Sequence, residues 1–92
     1  MRGQLDAYAA ERVKITRAFA ANFRVLREAT YQSQEVFAKE ARLHRTQVSF
    51  LERGIRAPGL LTFLILADAL DATPNQLLRN LPVPLERKPK KP

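Results

Sequence analysis

Ninety-two residues suffice for one small domain with a modest core, and a second domain is not expected. The formal net charge of +7 and a pI near 10.6 point to a polyanionic partner without choosing among nucleic acid, an anionic membrane and the ribosome. With no cysteine and His44 as the one histidine, the chain can form neither a disulfide nor a thiolate metal site; no zinc centre and no cofactor are expected.

No apolar run is long enough to cross a bilayer, and the N-terminal MRGQLDAYAAERV lacks the apolar centre of a signal peptide, so a cytoplasmic protein is expected. Residues 5–29 then carry the longest unbroken pattern. Leu5, Tyr8, Ile15, Phe19, Phe23 and Leu26 fall in one stripe at about 100° per residue, with no glycine or proline from 5 to 29. As a single helix this stretch would measure ~37 Å, longer than the domain it must cover. Its N-terminal part is therefore expected to project beyond the core, to dock on a partner or to fold back on its own subunit.

Residues 34–54, QEVFAKEARLHRTQVSFLERG, hold two short helical patterns around a tight turn. In the first, Phe37, Ala38 and Ala41 recur at one-turn spacing behind Ser33, whose hydroxyl suits an N-cap. Leu43 opens the second, in which Val48 and Leu51 share a face while Thr46, Ser49, Phe50 and Arg53 occupy the opposite one. Helices this short need cover from others. Glu52 lies about 40° from Val48 around the helix and is thus turned partly inward, where an unpaired acid is costly.

Gly54 suits a left-handed residue at a helix C-terminus, and the following IRAPG reads as a loop that exposes Arg56. Over 60–70 the apolar residues cover most of a helical circumference, so this helix is expected to be buried nearly all round. Thr73 and Pro74, a hydroxyl at N-cap and a proline at N1, start a last short helix expected to reach Leu81, with Pro82 as its stop. Residues 82–92 carry four prolines and four basic residues against one acid, and they read as a disordered basic tail.

Gln34, Ala38, Leu43, Val48, Leu51 and the closing Glu52-Arg53-Gly54 resemble the helix-turn-helix of the lambda-repressor-like (Xre/Cro) DNA-binding family. Arg27, Pro58, Ala67, Leu70 and Leu77-Leu78 also sit where that family has them, so the resemblance covers residues 19–80. It implies an all-α, five-helix domain at 19–81 between an N-terminal helical extension, 1–18, and the disordered basic C-terminal tail, 82–92. The chain departs from the pattern at Arg42, where the turn usually carries glycine, and at Tyr31 and Gln32, where glycine and an apolar residue usually stand.

The resemblance further implies a recognition helix that enters the major groove with its N-terminal side chains at the base edges. Arg45 is expected to chelate a guanine, Thr46 or Gln47 to bond a neighbouring base or a phosphate, and Phe50 to pack on a thymine methyl; a contact of Phe50 with a neighbouring helix or a protein partner competes with this. Gln34 matches the family's phosphate clamp, and Ser49, Arg53 and Arg56, with backbone N–H groups near Leu60, are expected on phosphates. His44 is expected as a cap or a phosphate-side donor. Arg27 occupies the family's partner position for Glu52, which implies a structural ion pair. Leu61 and Ile65 stand where that family usually has polar residues, so either Leu5, Tyr8 and Ile15 of the extension or a second subunit is expected to cover them.

The expected function is that of a transcriptional regulator that binds double-stranded DNA sequence-specifically. A dimeric repressor on a pseudo-palindromic operator is favoured, because one short helix reads too few bases. Small size and LHRTQVSFLERG resemble the controller proteins of restriction-modification systems, and antitoxin-type autoregulators and phage repressors are alternatives. A protein-interaction adaptor that keeps the fold and a nonspecific nucleic-acid binder are the competing classes. No enzyme is expected, since the acids are scattered without a histidine, cysteine or metal constellation and no phosphate-cradling glycine loop is present.

Overall fold

The computed structural model describes residues 7–82, so Leu5 and residues 83–92 of the expected tail lie outside the described residues. Within them the chain forms α1 (Ala9–Ala29), α2 (Gln34–Ala41), α3 (Arg45–Glu52), α4 (Leu60–Ala69) and α5 (Pro74–Leu77), with no strand. The long apolar stripe becomes α1, whose 21 residues extend ~31 Å. Its burial begins at Thr16 and continues through Phe19, Ala20 and Phe23, while Tyr8 and Val13 remain exposed and Ile15 is half-buried.

The core is a cluster in which every helix takes part: Phe19 and Phe23 of α1, Phe37 of α2, Val48 and Leu51 of α3, Leu66 of α4 and Leu77 of α5. Three aromatic contacts join its layers. Phe23 meets Phe37 at 5.5 Å between ring centroids, and Phe19 meets Phe23 at 6.2 Å and Phe63 at 6.1 Å, all in tilted arrangements that suit ring quadrupoles. Together they tie α1 to α2 and α4.

Local chemistry sets the helix ends. The Ser33 hydroxyl accepts the Val36 N–H at 3.1 Å, and Thr73 and Gln76 form a reciprocal capping box at the start of α5. Helices α2, α3 and α4 all close with the same hydrogen bond spanning five residues: Leu43 N–H to the Ala38 carbonyl, Ile55 to Phe50 and Ala72 to Ala67. Each closure needs a left-handed residue, supplied by Arg42 at φ 59°, Gly54 at 70° and Asp71 at 54°. Tyr31, after α1, also takes φ 61°. The departures from glycine at Tyr31 and Arg42 thus leave the turns intact and place non-glycine residues in a conformation that costs roughly 1–2 kcal/mol.

Two expectations need correction. Helix α5 ends at Leu77, not Leu81, because the chain turns at Leu78 and Asn80 adopts φ 60°, out of reach of helical geometry. Helix α4 is not buried all round: Leu60 is 76% exposed, Leu61 73% and Leu64 47%, while Leu66 and Ala67 are buried. A domain of this size offers α4 a neighbour on one side only. Ile65 leans on the core cluster and is half-buried, so it does not share the open surface of Leu61. Among the described residues α1 contacts α3 and α5, and Leu61 is left uncovered.

Tyr31 is 97% exposed, so its side chain contributes almost no packing to offset its backbone strain. Tyr31→Gly should raise stability by roughly 0.5–1 kcal/mol in urea unfolding, the relief of the left-handed strain exceeding glycine's entropic cost. A lower unfolding midpoint would show that the ring stabilises the fold.

Candidate nucleic-acid interface

Helix α3 is eight residues long and buries only Val48, Leu51 and Glu52. So little apolar contact leaves its rotation weakly determined, and polar bonds complete the job. Glu52 accepts from Arg27 at both oxygens, from Nε at Oε2 and from Nη2 at Oε1, the latter at 3.0 Å. The Gln34 amide donates to Glu52 Oε1 at 3.2 Å, and Arg27 Nη1 reaches the Gln32 carbonyl at 2.6 Å. The Glu52 side chain is 3% exposed and that of Arg27 11%, so this is a buried, doubly bonded pair. The bond to Glu52 raises the Arg27 pKa above its already high usual value, opposed by burial and helped by the charges of Glu52 and Glu28. The guanidinium therefore stays charged at any pH at which the domain would be studied.

With its inner side locked in this way, α3 turns Arg45, Thr46 and Arg53 to solvent and holds Gln47, Ser49 and Phe50 half-buried. Arg45, Thr46, Ser49, Phe50 and Arg53 line one shallow groove. Beside it, a cleft of about 470 Å³ is lined by Thr46, Gln47 and Phe50 together with His44, Arg56 and Thr62. Among the described residues no carboxylate lines either depression. Arg56 lies with its guanidinium carbon 5.4 Å from the centroid of the Phe50 ring, so one sequence-predicted phosphate ligand rests on one sequence-predicted base reader.

Two predicted site residues behave differently from expectation. The side chain of His44, the residue before α3, makes no capping bond; it is exposed at the cleft. The amide of Gln34 is engaged with Glu52, so one of its two N–H donors serves the buried network and only the other is left for a phosphate. Sequence reasoning also missed Asn22, whose amide bonds the carbonyls of Leu77 at 2.8 Å and Arg79 at 2.7 Å. The one signal for it was a polar residue on α1 adjoining the apolar Phe23.

The pattern of a family described as a helix-turn-helix domain matches residues 18–80. This chain belongs to the lambda-repressor-like helix-turn-helix family. Among solved structures, this helix-turn-helix chain is similar to the restriction-modification controller protein C.AhdI from Aeromonas hydrophila, at 40% identity and a TM-score of 0.65, over 67% of this chain and 94% of that one. It is also similar to the hypothetical transcription factor NHTF from Neisseria, at 33% identity and a TM-score of 0.67, over 73% of this chain and 75% of that one. No curated protein matches it. The helix-turn-helix chain is a DNA-binding regulator, and no helix among its described residues is long and apolar enough to cross a membrane.

The buried pair gives this helix-turn-helix domain a measurable weak point. Glu52→Ala should cost ~3 kcal/mol or more, because Arg27 is left charged and unpaired, whereas Arg27→Met combined with Glu52→Leu should recover most of that loss. Chemical denaturation of the three proteins decides. A loss of only a few tenths for Glu52→Ala would mean that the pair does not hold α3.

Proposed function

We propose that the chain recognises a pseudo-palindromic operator in double-stranded DNA as a homodimer, acting as a repressor or in the manner of a restriction-modification controller. The observation that carries this reading is the N-terminal end of α3, where Arg45 and Thr46 stand free to solvent on a helix whose opposite side is locked by Glu52. Arg45 supplies a planar fork that matches guanine O6 and N7, Thr46 and Gln47 supply hydrogen bonds, and the Phe50 ring meets a thymine methyl. Ser49, Arg53, Arg56 and the spare donor of Gln34 hold phosphates and set the register. Residues 19–81 form the DNA-binding unit; residues 1–18 extend it, and the basic tail at 82–92 adds nonspecific attraction. The protein works in the cytoplasm, on the nucleoid.

The proposed dimer rests on α4. Leu60, Leu61 and Leu64 are exposed within little more than one turn, and each would contribute ~1.5–3 kcal/mol on being buried. A two-fold partner buries the same surface from both sides and sets the two α3 helices one turn of the duplex, about 34 Å, apart. An adaptor function would use the same leucines for a different protein, and it would leave Arg45 without a task.

Selection from random duplex DNA at physiological salt should enrich an inverted repeat; no enrichment would leave only nonspecific binding. On the enriched duplex, Arg45→Ala should cost ~1–3 kcal/mol and relax preference at one base position, whereas Arg53→Ala should weaken all sequences alike and reduce the salt slope by about one. Unchanged base preference after Arg45→Ala would remove it from base readout. Leu61→Lys with Leu64→Glu should sediment as a folded monomer at micromolar concentration, and a dimer of unaltered affinity would show that α4 is not the interface.

A further inference from the structure

We propose that Phe50 is a positioning residue for Arg56, and that ring and guanidinium meet the DNA as one unit. The inference rests on the DNA-binding reading above and concerns how its phosphate contact is prepared. Arg56 follows Gly54 on an exposed loop, where an arginine ordinarily samples many rotamers and must be ordered by the phosphate it binds. Here the loop is folded back. The Ile55 N–H donates to the Phe50 carbonyl at 3.0 Å with Gly54 left-handed at φ 70°, and the next residue in the chain is thereby set beside the Phe50 side chain. The guanidinium carbon then lies 5.4 Å from the ring centroid, in cation–π range.

The kind of partner matters. A carboxylate holding Arg56 would neutralise it and would have to be displaced by phosphate. A ring holds the cation while leaving its charge and its in-plane N–H donors for an anion. Among the described residues no carboxylate lines the cleft that Arg56 and Phe50 share with Thr46 and Gln47, so none of them competes with DNA for the guanidinium. The cleft places the held cation directly beside the proposed base-reading residues of α3. Phe50 thus has a role that its lack of donors and acceptors conceals: it sets the position of the charge on Arg56, which lies just past the turn at Gly54.

A double-mutant cycle on DNA affinity tests this, with the enriched duplex and the same duplex carrying uracil for thymine, each titrated at several salt concentrations. Arg56→Ala should weaken binding about 5- to 10-fold and lower the salt slope by about one. Phe50→Leu should weaken it about 3- to 5-fold and lower the slope in part, with Phe50→Tyr retaining wild-type affinity and slope. On the uracil duplex the double variant should bind no more than about twofold worse than Arg56→Ala alone, because there a ring with no cation to hold contributes nothing further. The coupling should persist on the uracil duplex, which lacks the methyl that Phe50 would otherwise read. Phe50→Met serves as a second ring-free variant should leucine unsettle the domain. Effects that multiply in the double variant on the uracil duplex, or a Phe50→Leu loss that vanishes there, would overturn the positioning role alone. A wild-type chain that binds no duplex would instead overturn the regulator reading itself, and this inference with it.

Discussion

A carboxylate that is 3% exposed must be paired, and the outward face of α3 depends on how Glu52 meets that demand. Its partners come from three places: Arg27 on α1, Gln34 at the start of α2 and, through Arg27, the Gln32 carbonyl between them. Apolar contact is tolerant of rolling, whereas a two-pronged guanidinium–carboxylate bond is directional and admits one rotation of α3 about its axis. The polar network therefore decides which residues face outward. Val48 and Leu51 supply the burial, and Glu52 supplies the orientation.

Charge is distributed to the same effect. Of the acids near α3, Glu52 points inward, Glu28 lies 3.7 Å from Arg24 one turn back along α1, and Glu40 accepts from Gln32 at 2.6 Å. None of them lines the two depressions around α3, so Arg45, Arg53 and Arg56 face no carboxylate there among the described residues. A basic chain becomes a directional one in this way. Cations left without a facing acid at the helix that presents hydrogen-bonding groups favour encounter with a polyanion in one orientation.

Much of this arrangement is legible in the sequence because it is local or periodic. Ser33, Thr73, Pro74 and Gly54 announce the helix ends by chemistry that acts within a few residues, and the spacing of Val48, Leu51 and Glu52 shows which side of α3 looks inward. Other features depend on how helices cross, which no window of sequence contains. The bond from Gln34 to Glu52, 18 residues apart, exists only once α2 and α3 are set in place. The exposure of Leu60, Leu61 and Leu64 was hidden for a related reason: an all-apolar helix reads as buried, yet burial needs neighbours on every side, and the single chain provides too few. Tyr31 and Arg42 give no conformational signal at all, since propensity argues against the left-handed turns that tertiary closure imposes on them.

Asn22 carries a consequence for how the domain assembles. Its two hydrogen bonds join the middle of α1 to carbonyls 55 and 57 residues downstream, across nearly the whole helix-turn-helix unit. Contacts of such sequence separation carry the largest loop-closure entropy, and α5, with four residues, is too short to form before something receives it. The seam between α1 and α5 is thus placed to close late, after α2 and α3 have docked. On a ribosome, α1 must wait for almost the entire domain to emerge before its amide finds a partner, so completion of the fold coincides with arrival of its last helix.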